Sequence, residues 1–200
     1  VLLCSELYDR PGNPYGDESG QDWPDNDIRF GRLASAAAEL AMGRVDKSWA
    51  ADLVHANDWQ AALVPAYLAW NGANTPSILT IHNLAYQGLF PRESLRRIGA
   101  PENSFHIDGL EFYDQLSFLK GGLNFASHLT TVSATYAREI TTRELGCGLE
   151  GLLSKRSIEG SWAKARAWPN DSKTKPSKAR PDDRKGYCII LCSKHAPVFR

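Results

Sequence analysis

Residues 80–88 read Thr-Ile-His-Asn-Leu-Ala-Tyr-Gln-Gly and continue a β-branched, apolar run that begins at Ile78. This pattern is typical of a buried strand that stops at His82 and Asn83, two polar side chains that are followed by a tight turn. In open α/β sheets, ligands bind in the crevice outside the carboxyl ends of the strands. The stretch therefore predicts a sheet whose edge presents His82 and Asn83 to a ligand.

Strand-like and helix-like segments alternate along the first 160 residues. Such alternation predicts an α/β fold, a Rossmann-like parallel sheet with helices on both faces. Residues expected to begin helices are Asp25 or Asn26, Asp58 and Ser133, and Pro65 should kink the helix that contains it. The predicted strands cover residues 1–4, 52–56, 77–81 and 129–132, and the predicted helices cover residues 26–42, 59–70, 91–98, 116–126, 134–140 and 148–157.

The net charge of zero hides two unlike parts of the chain. Residues 161–200 hold 10 Lys and Arg against 3 Asp and Glu, so the tail carries +7 and residues 1–160 carry −7. The tail is also rich in Pro and poor in apolar residues until its last part, which is typical of disorder. We therefore predict a domain over residues 1–160 and a disordered tail over residues 161–200.

The composition also limits the surroundings and the partners of the protein. No apolar run approaches the roughly 20 residues of a membrane span. The four cysteines have irregular spacing, which favours a reducing cytoplasmic setting over a disulfide framework. The acidic body gives no indication of a nucleic-acid partner. The chain lacks an initial Met, so we expect it to begin partway through a longer protein.

The tail itself allows three interpretations. It fits a frame-shifted or mis-joined end without selected structure. It also fits a basic nucleic-acid arm, because Trp162 and Trp168 lie among Lys and Arg. A zinc site at Cys188, Cys192 and His195 is the third, although three ligands are fewer than a structural zinc site needs.

The long loop at residues 6–27 mixes aromatic rings with carboxylates and amides. Rings stack on the apolar C–H faces of a sugar, and carboxylates and amides bind its hydroxyls, so the composition suits a carbohydrate ligand. Asp, Gly, Pro and Asn are also the ordinary residues of turns. Composition alone leaves both interpretations open.

Five ordered blocks resemble the bacterial glycogen synthase and plant starch synthase family, with a similarity that runs over residues 3–160. The resemblance implies part of the N-terminal, acceptor-side half of a GT-B glycosyltransferase. Such enzymes transfer glucose from ADP-glucose to the non-reducing end of an α-1,4-glucan with retention, without a metal or a cofactor. The blocks are ELYDRPGNPYGDESGQDWPDNDIRF (6–30), DLVHANDWQAALVPAYL (52–68), LTIHNLAYQGLFP (79–91), DGLEFYDQLSFLKGGLNFASHLTTVSATYAREI (108–140) and GCGLEGLL (146–153).

The resemblance also implies roles for four residues. His82 matches the family histidine that lies against the transferred glucose, and we take it as the catalytic candidate. Asp58 matches an aspartate on the acceptor side, and Tyr15 is a candidate for sugar stacking. Asn83 is a further substrate-binding candidate, unless it fixes the turn. Structural roles compete with each of these: an ordinary hydrogen bond for His82, a helix cap for Asp58, and a ring folded over the core for Tyr15.

The chain departs from the family pattern in several places. Asn57 and Gln60 stand where the family usually has histidines, and the donor-binding lysine-glycine-glycine loop and the C-terminal domain of the family are not recognised. We therefore expect the 200 residues to be inactive alone. A sucrose synthase-like GT-B enzyme and a non-catalytic glucan-binding remnant remain alternatives. The resemblance implies a bacterial cytoplasmic location, or a plastid if the source is a plant.

Gly146, Gly148 and Gly151 fit the G-x-G-x-x-G pattern of dinucleotide-binding proteins. That pattern needs a strand before it and a helix after it. A predicted helix and a polar run precede it here, so we expect a turn and a helix start instead of an NAD site.

Overall fold

The computed structural model describes residues 4–158 and 188–191, and only the backbone is described for Ile158 and for residues 188–191. The helices are α1 (Ser5–Tyr8), α2 (Asn26–Ala41), α3 (Asp58–Ala61), α4 (Leu63–Trp70), α5 (Ser94–Arg97), α6 (Phe118–Phe125), α7 (Ala134–Glu139) and α8 (Glu150–Ile158), with a 3-10 turn at Glu102–Ser104. The strands are β1 (Leu53–Asn57), β2 (Ser77–Ile81), β3 (Leu89–Phe90), β4 (Glu111–Phe112), β5 (Gln115–Ser117), β6 (His128–Thr131) and β7 (Cys188–Leu191).

The main sheet is parallel and has the strand order β6-β2-β1-β7. Asn57, the last residue of β1, lies opposite Thr80 near the end of β2. Ile81 at the end of β2 lies opposite Thr131 at the end of β6. The carboxyl ends of the three strands therefore meet at one edge of the sheet, as the sequence predicted.

Alternate residues of the strands have different surroundings because successive side chains point to opposite faces. Val54, Leu79 and Leu129 are fully buried on one face. There, α6 lies so close that a Cβ on Gly122 would come within 2.8 Å of both Ala62 and Leu79. On the other face His55 and Thr80 are only half-buried. The hydrophobic core thus lies between the sheet and the helical layer of α3, α4 and α6.

Pro65 divides the predicted helix at residues 59–70 into α3 and α4, with the break at Ala62. Proline has no N–H to donate to the carbonyl of Ala61, and its ring crowds that carbonyl. The new helix begins at Leu63, so Pro65 falls in its first turn, where proline is tolerated. The predicted effect of Pro65 is confirmed.

Two predicted helix caps are wrong in detail. Asp25 occupies the position before α2, but its carboxylate binds Arg10 with two hydrogen bonds of 2.8 and 2.7 Å instead of capping the helix. Asp58 is the first residue of α3, and Asn57 takes the cap position. Ser133 is confirmed, because its Oγ accepts the N–H of Tyr136 at the start of α7.

A small antiparallel sheet with the order β3-β5-β4 was not predicted. The turn between β4 and β5 consists of Tyr113 and Asp114, which both have positive φ, 48° and 63°. Asp tolerates a positive φ but a bulky Tyr rarely adopts one, so the residue types at these positions give little indication of a hairpin. Residues 115–117, predicted near the start of a helix, form β5 instead.

Part of the predicted tail joins the main sheet. The backbone of Cys188–Leu191 pairs with β1 in parallel, from Leu53 opposite Cys188 to Ala56 opposite Leu191. The sequence predicts disorder over residues 161–200, and within that segment the structure describes these four residues, as a strand. The boundary near residue 160 stays a prediction. The other residues of that segment, including His195 of the considered zinc site and the two tryptophans of the considered nucleic-acid arm, lie outside the described residues. Residues 1–3 of the predicted strand at residues 1–4 also lie outside them, and Cys4 directly precedes α1.

Candidate functional site

His82 and Asp58 meet at the carboxyl edge of the main sheet. His82 follows β2 directly, and Asp58 follows β1, so neighbouring parallel strands deliver the two residues to the same place. The N–H of His82 donates to Asp58 Oδ1 at 2.8 Å, and His82 Nδ1 lies 3.0 Å from Asp58 Oδ2. The imidazole is therefore exposed at the sheet edge and lies against Asp58.

The backbone of Asp58 is left-handed, with φ of 54°. Aspartate visits this region more often than most residues do, although at a cost of about 1–2 kcal/mol. The conformation occurs where the chain turns from β1 into α3. Both carboxylate oxygens of Asp58 then contact His82, and these contacts offset the strained backbone.

The pairing determines the chemistry of the imidazole. An ionised carboxylate only accepts hydrogen bonds, so Asp58 holds the ring proton on Nδ1. In the neutral ring Nε2 is then the acceptor, and in the protonated ring it is a donor. The His82 side chain is 48% exposed, against 22% for Asp58. The arrangement leaves Nε2 in a fixed orientation to bind a hydroxyl group of a ligand.

Four further contacts hold the loop that carries His82, residues 82–88, which we call the sheet-edge loop. The Leu84 N–H donates to the Tyr136 hydroxyl of α7 at 2.9 Å, and Gln87 Nε2 donates to the Cys147 carbonyl at 2.9 Å. The carbonyls of Gln87 and Gly88 accept the N–H groups of Leu119 and Phe118 at the start of α6. A site held by such surrounding contacts is positioned before its ligand binds.

Trp59 and Gly88 join α3 to the end of the sheet-edge loop. A Cβ on Gly88 would lie 2.3 Å from the Trp59 ring, and Gly88 has φ of 61°, so only glycine fits there. Trp59 is buried among the rings of Phe30, Phe90 and Phe118. Sequence reasoning missed this support, although an aromatic residue directly after Asp58 and a glycine at the loop end were visible.

The other two predicted site residues do not contact His82. Asn83 Oδ1 accepts the Ala85 N–H at 3.0 Å, which fixes the turn, as the competing interpretation held. Tyr15 packs on the core, with its ring centroid 6.1 Å from Phe30 and 6.4 Å from Trp59. Tyr15 therefore adjoins the site only through Trp59. Substrate contact by Asn83 and Tyr15 stays a prediction.

His55 lies inside β1, opposite Ile78. Its Nε2 lies 2.6 Å from Thr80 Oγ1, which lies 2.6 Å from Thr130 Oγ1 across the next strand. Burial, and to a smaller extent the nearby His82, lower the pKa of His55. The two amides at family histidine positions, Asn57 and Gln60, are both buried.

Three other features of the described residues bear on function. Within residues 4–158 and 188–191, no helix is long and apolar enough to cross a membrane. In the same residues no group of three or more His, Cys, Asp or Glu side chains is arranged to hold a metal ion. The glycine pattern at residues 146–151 follows α7 and leads into α8, so it is a turn and a helix start, as predicted.

Comparison with solved structures gives the class of the fold. The chain is similar to the catalytic domain of Starch Synthase IV from Arabidopsis thaliana, a structure bound to ADP and acarbose. The TM-score is 0.62 and the identity 30%, over 72% of this chain and 30% of that one. Together with the parallel sheet, this defines part of a GT-B fold.

Comparison with sequences gives the family. Residues 1–155 match the model of the starch synthase catalytic domain, and the chain belongs to that family. It is 84% identical over 157 residues to Glycogen synthase 1 of Bradyrhizobium diazoefficiens, covering 78% of this chain and 34% of that protein. It is 59% identical over 160 residues to Glycogen synthase of Pseudomonas syringae pv. syringae, covering 80% of this chain and 33% of that protein. The chain thus spans about a third of the length of these relatives.

Proposed function

We propose that this chain supplies the acceptor-side part of a glycogen synthase, which transfers glucose from ADP-glucose to the non-reducing end of an α-1,4-glucan. In that reaction the bond between glucose C1 and the distal phosphate of ADP breaks. A bond to the acceptor O4 forms with retained configuration, and the acceptor proton leaves with ADP. The observation that supports this role most is the His82–Asp58 pair at the sheet edge, in a chain of this family.

The proposed role of His82 follows from its geometry. Nε2 binds a hydroxyl of the transferred glucose, and Asp58 keeps the ring turned toward it. The backbone carbonyl of His82 faces the positive charge that develops on the sugar ring during transfer. Fixed dipoles aimed at developing charge often accelerate a reaction more than any other effect, because they need no reorganisation when the charge appears. Asp58 acts through His82 as a positioning residue.

We further propose the partners and conditions that the family implies. The donor is ADP-glucose and the acceptor an α-1,4-glucan. The reaction uses neither a metal ion nor a cofactor. The location is the bacterial cytoplasm, since the two glycogen synthases named above are bacterial proteins.

A chimera tests the proposal on a whole enzyme. The matched 157 residues of Glycogen synthase 1 from Bradyrhizobium diazoefficiens are replaced by those of this chain. Transfer of radiolabelled glucose from ADP-glucose to maltoheptaose is then measured, with unmodified Glycogen synthase 1 as the control. The proposal expects rates within about tenfold of the control. A chimera that melts like the control but transfers no glucose contradicts the proposal.

A further inference from the structure

A pocket lies apart from the His82–Asp58 pair. Its volume is about 240 Å³, and we call it the Tyr113 pocket. That is below the ~300–1,000 Å³ of a pocket that encloses a drug-sized ligand. The size therefore suits one sugar ring held against an open wall. The lining residues are Ile107, Glu111, Phe112, Tyr113, Lys120 and Gly148.

The wall of the pocket is aromatic and rigid. Tyr113 and Phe112 pack edge to face with centroids 4.7 Å apart, and Tyr113 is 78% exposed. Tyr113 has φ of 48°, which is a genuine outlier for a bulky side chain. Strain of this kind persists where the surroundings fix it, and it clusters at functional sites. Here the strained hairpin turn holds an aromatic ring out in solvent.

The polar groups of the pocket converge from one helix and one strand. Lys120 is 94% buried, and its Nζ donates to the carbonyl of Glu111. An ammonium group has three hydrogens, and within the described residues this carbonyl is the one hydrogen-bond acceptor that Nζ contacts. Burial lowers the pKa of Lys120, against the opposing effect of Glu111 and Asp108. A hydroxyl-rich ligand would satisfy the remaining donors.

The charges favour a neutral ligand. Glu111 and Lys120 both line the pocket, so one carboxylate balances the single ammonium. An anion such as phosphate would therefore meet no net positive charge there, whereas sugar hydroxyls pair with both signs of charge. The apolar C–H face of a hexose matches an exposed ring.

The pocket is physically joined to the sheet-edge loop. Gln87 donates to the carbonyl of Cys147, the residue before Gly148 of the pocket. A Cβ on Gly148 would lie 3.0 Å from Phe112 and 3.2 Å from Tyr113, so the turn fits closely against both rings. Lys120 belongs to α6, whose first residues bind the carbonyls at the end of the same loop.

We propose that the Tyr113 pocket binds a glucose unit of an α-glucan chain at a distance from the reacting end, an inference that rests on the function proposed above. Tyr113 stacks on the sugar ring, and Lys120 and Glu111 bind its hydroxyls. Such a contact would hold a long acceptor while its end reacts at His82.

The test is the binding of maltoheptaose to the 200-residue chain, measured by ligand-detected NMR. Tyr113→Gly removes the ring and also relieves the positive φ, so it leaves the turn intact. We expect the dissociation constant of this variant for maltoheptaose to be roughly three- to tenfold higher than that of the original chain, because one aromatic contact is lost. Tyr113→Phe should bind like the original chain. Val45→Gly, which removes another exposed apolar side chain, is the matched control and should not change binding.

Three outcomes overturn the inference. One is equal binding by the original chain and Tyr113→Gly. Another is no binding by the original chain. The third is that inorganic phosphate binds more tightly than maltoheptaose and that Lys120→Met abolishes this phosphate binding. If Asp58→Ala weakens maltoheptaose binding and Tyr113→Gly does not, the pocket is dismissed while the function proposed for the His82 site stands. The result of the chimera assay does not depend on any of these three outcomes, so the two proposals are tested separately.

Discussion

At the scale of single residues, the candidate site depends on conformations that composition does not reveal. Asp58 was expected to cap a helix, but its left-handed backbone turns the carboxylate to His82 instead. The sequence placed the two residues at neighbouring strand ends, because strand periodicity is readable from one chain. It could not supply the 2.8 and 3.0 Å contacts, since these depend on the pairing of β1 with β2.

Gly88→Ala tests the support of the sheet-edge loop. The new Cβ would lie 2.3 Å from the Trp59 ring at a φ of 61°, so we expect the free energy of unfolding to fall by about 2–4 kcal/mol. Gly72→Ala is the matched control, because Gly72 has φ of 68° with no atom within 4 Å of its Cβ position. It should cost about 1–2 kcal/mol. Urea denaturation measures both, and equal losses would show that Trp59 does not constrain Gly88.

At the scale of helices and strands, the sequence was most informative where periodicity and proline determine the element. The long amphipathic α2, the strands β2 and β6, and the break at Pro65 all lie close to their predicted positions. The hairpin of β4 and β5 was missed because its turn requires a positive φ at Tyr113, a bulky residue that rarely adopts one. Its conformation is imposed by packing, which no local pattern contains.

The half-buried His55 in β1 should make the free energy of unfolding depend measurably on pH. Burial lowers its pKa in the folded chain, so the unfolded chain binds the proton more readily. His55 therefore causes a loss of stability as the pH falls from about 6.5 toward the folded value. Compared with His55→Gln, the original chain should lose stability between about pH 7.5 and pH 5, by less than about 1 kcal/mol. Urea denaturation across this range checks the difference, and parallel pH profiles for the two chains would contradict the account.

At the scale of the whole molecule, contacts between distant segments fix the site. Tyr136 binds Leu84 from 52 residues away, and Cys147 binds Gln87 from 60 residues away. Neither contact has a local sequence pattern, so the anchoring of the sheet-edge loop could not be predicted. The resemblance of five blocks to one family did predict the fold class, because a fixed order of blocks over a long stretch of chain carries tertiary information that periodicity lacks.

The strand β7 can be tested by ending the chain after Ile158. We expect residues 1–158 to stay folded, with a cooperative transition in urea. The amides of β1 should exchange with solvent about tenfold faster or more, because β1 loses one of its two partners. The amides of β6, which pairs with β2 at the opposite edge, are the control. Unchanged exchange in β1 would contradict the pairing, and an unfolded product would contradict a domain over residues 1–160.

The central claim, that Asp58 holds His82 against the transferred sugar, is tested most directly by kcat in the chimera described above. His82→Ala should lower kcat by about 10²-fold or more, the usual loss when one fixed electrostatic group is removed. Asp58→Asn should lower it less, and the double variant should be no slower than His82→Ala, since Asp58 acts through His82. A His82→Ala chimera with kcat within about twofold of the parent would contradict the account.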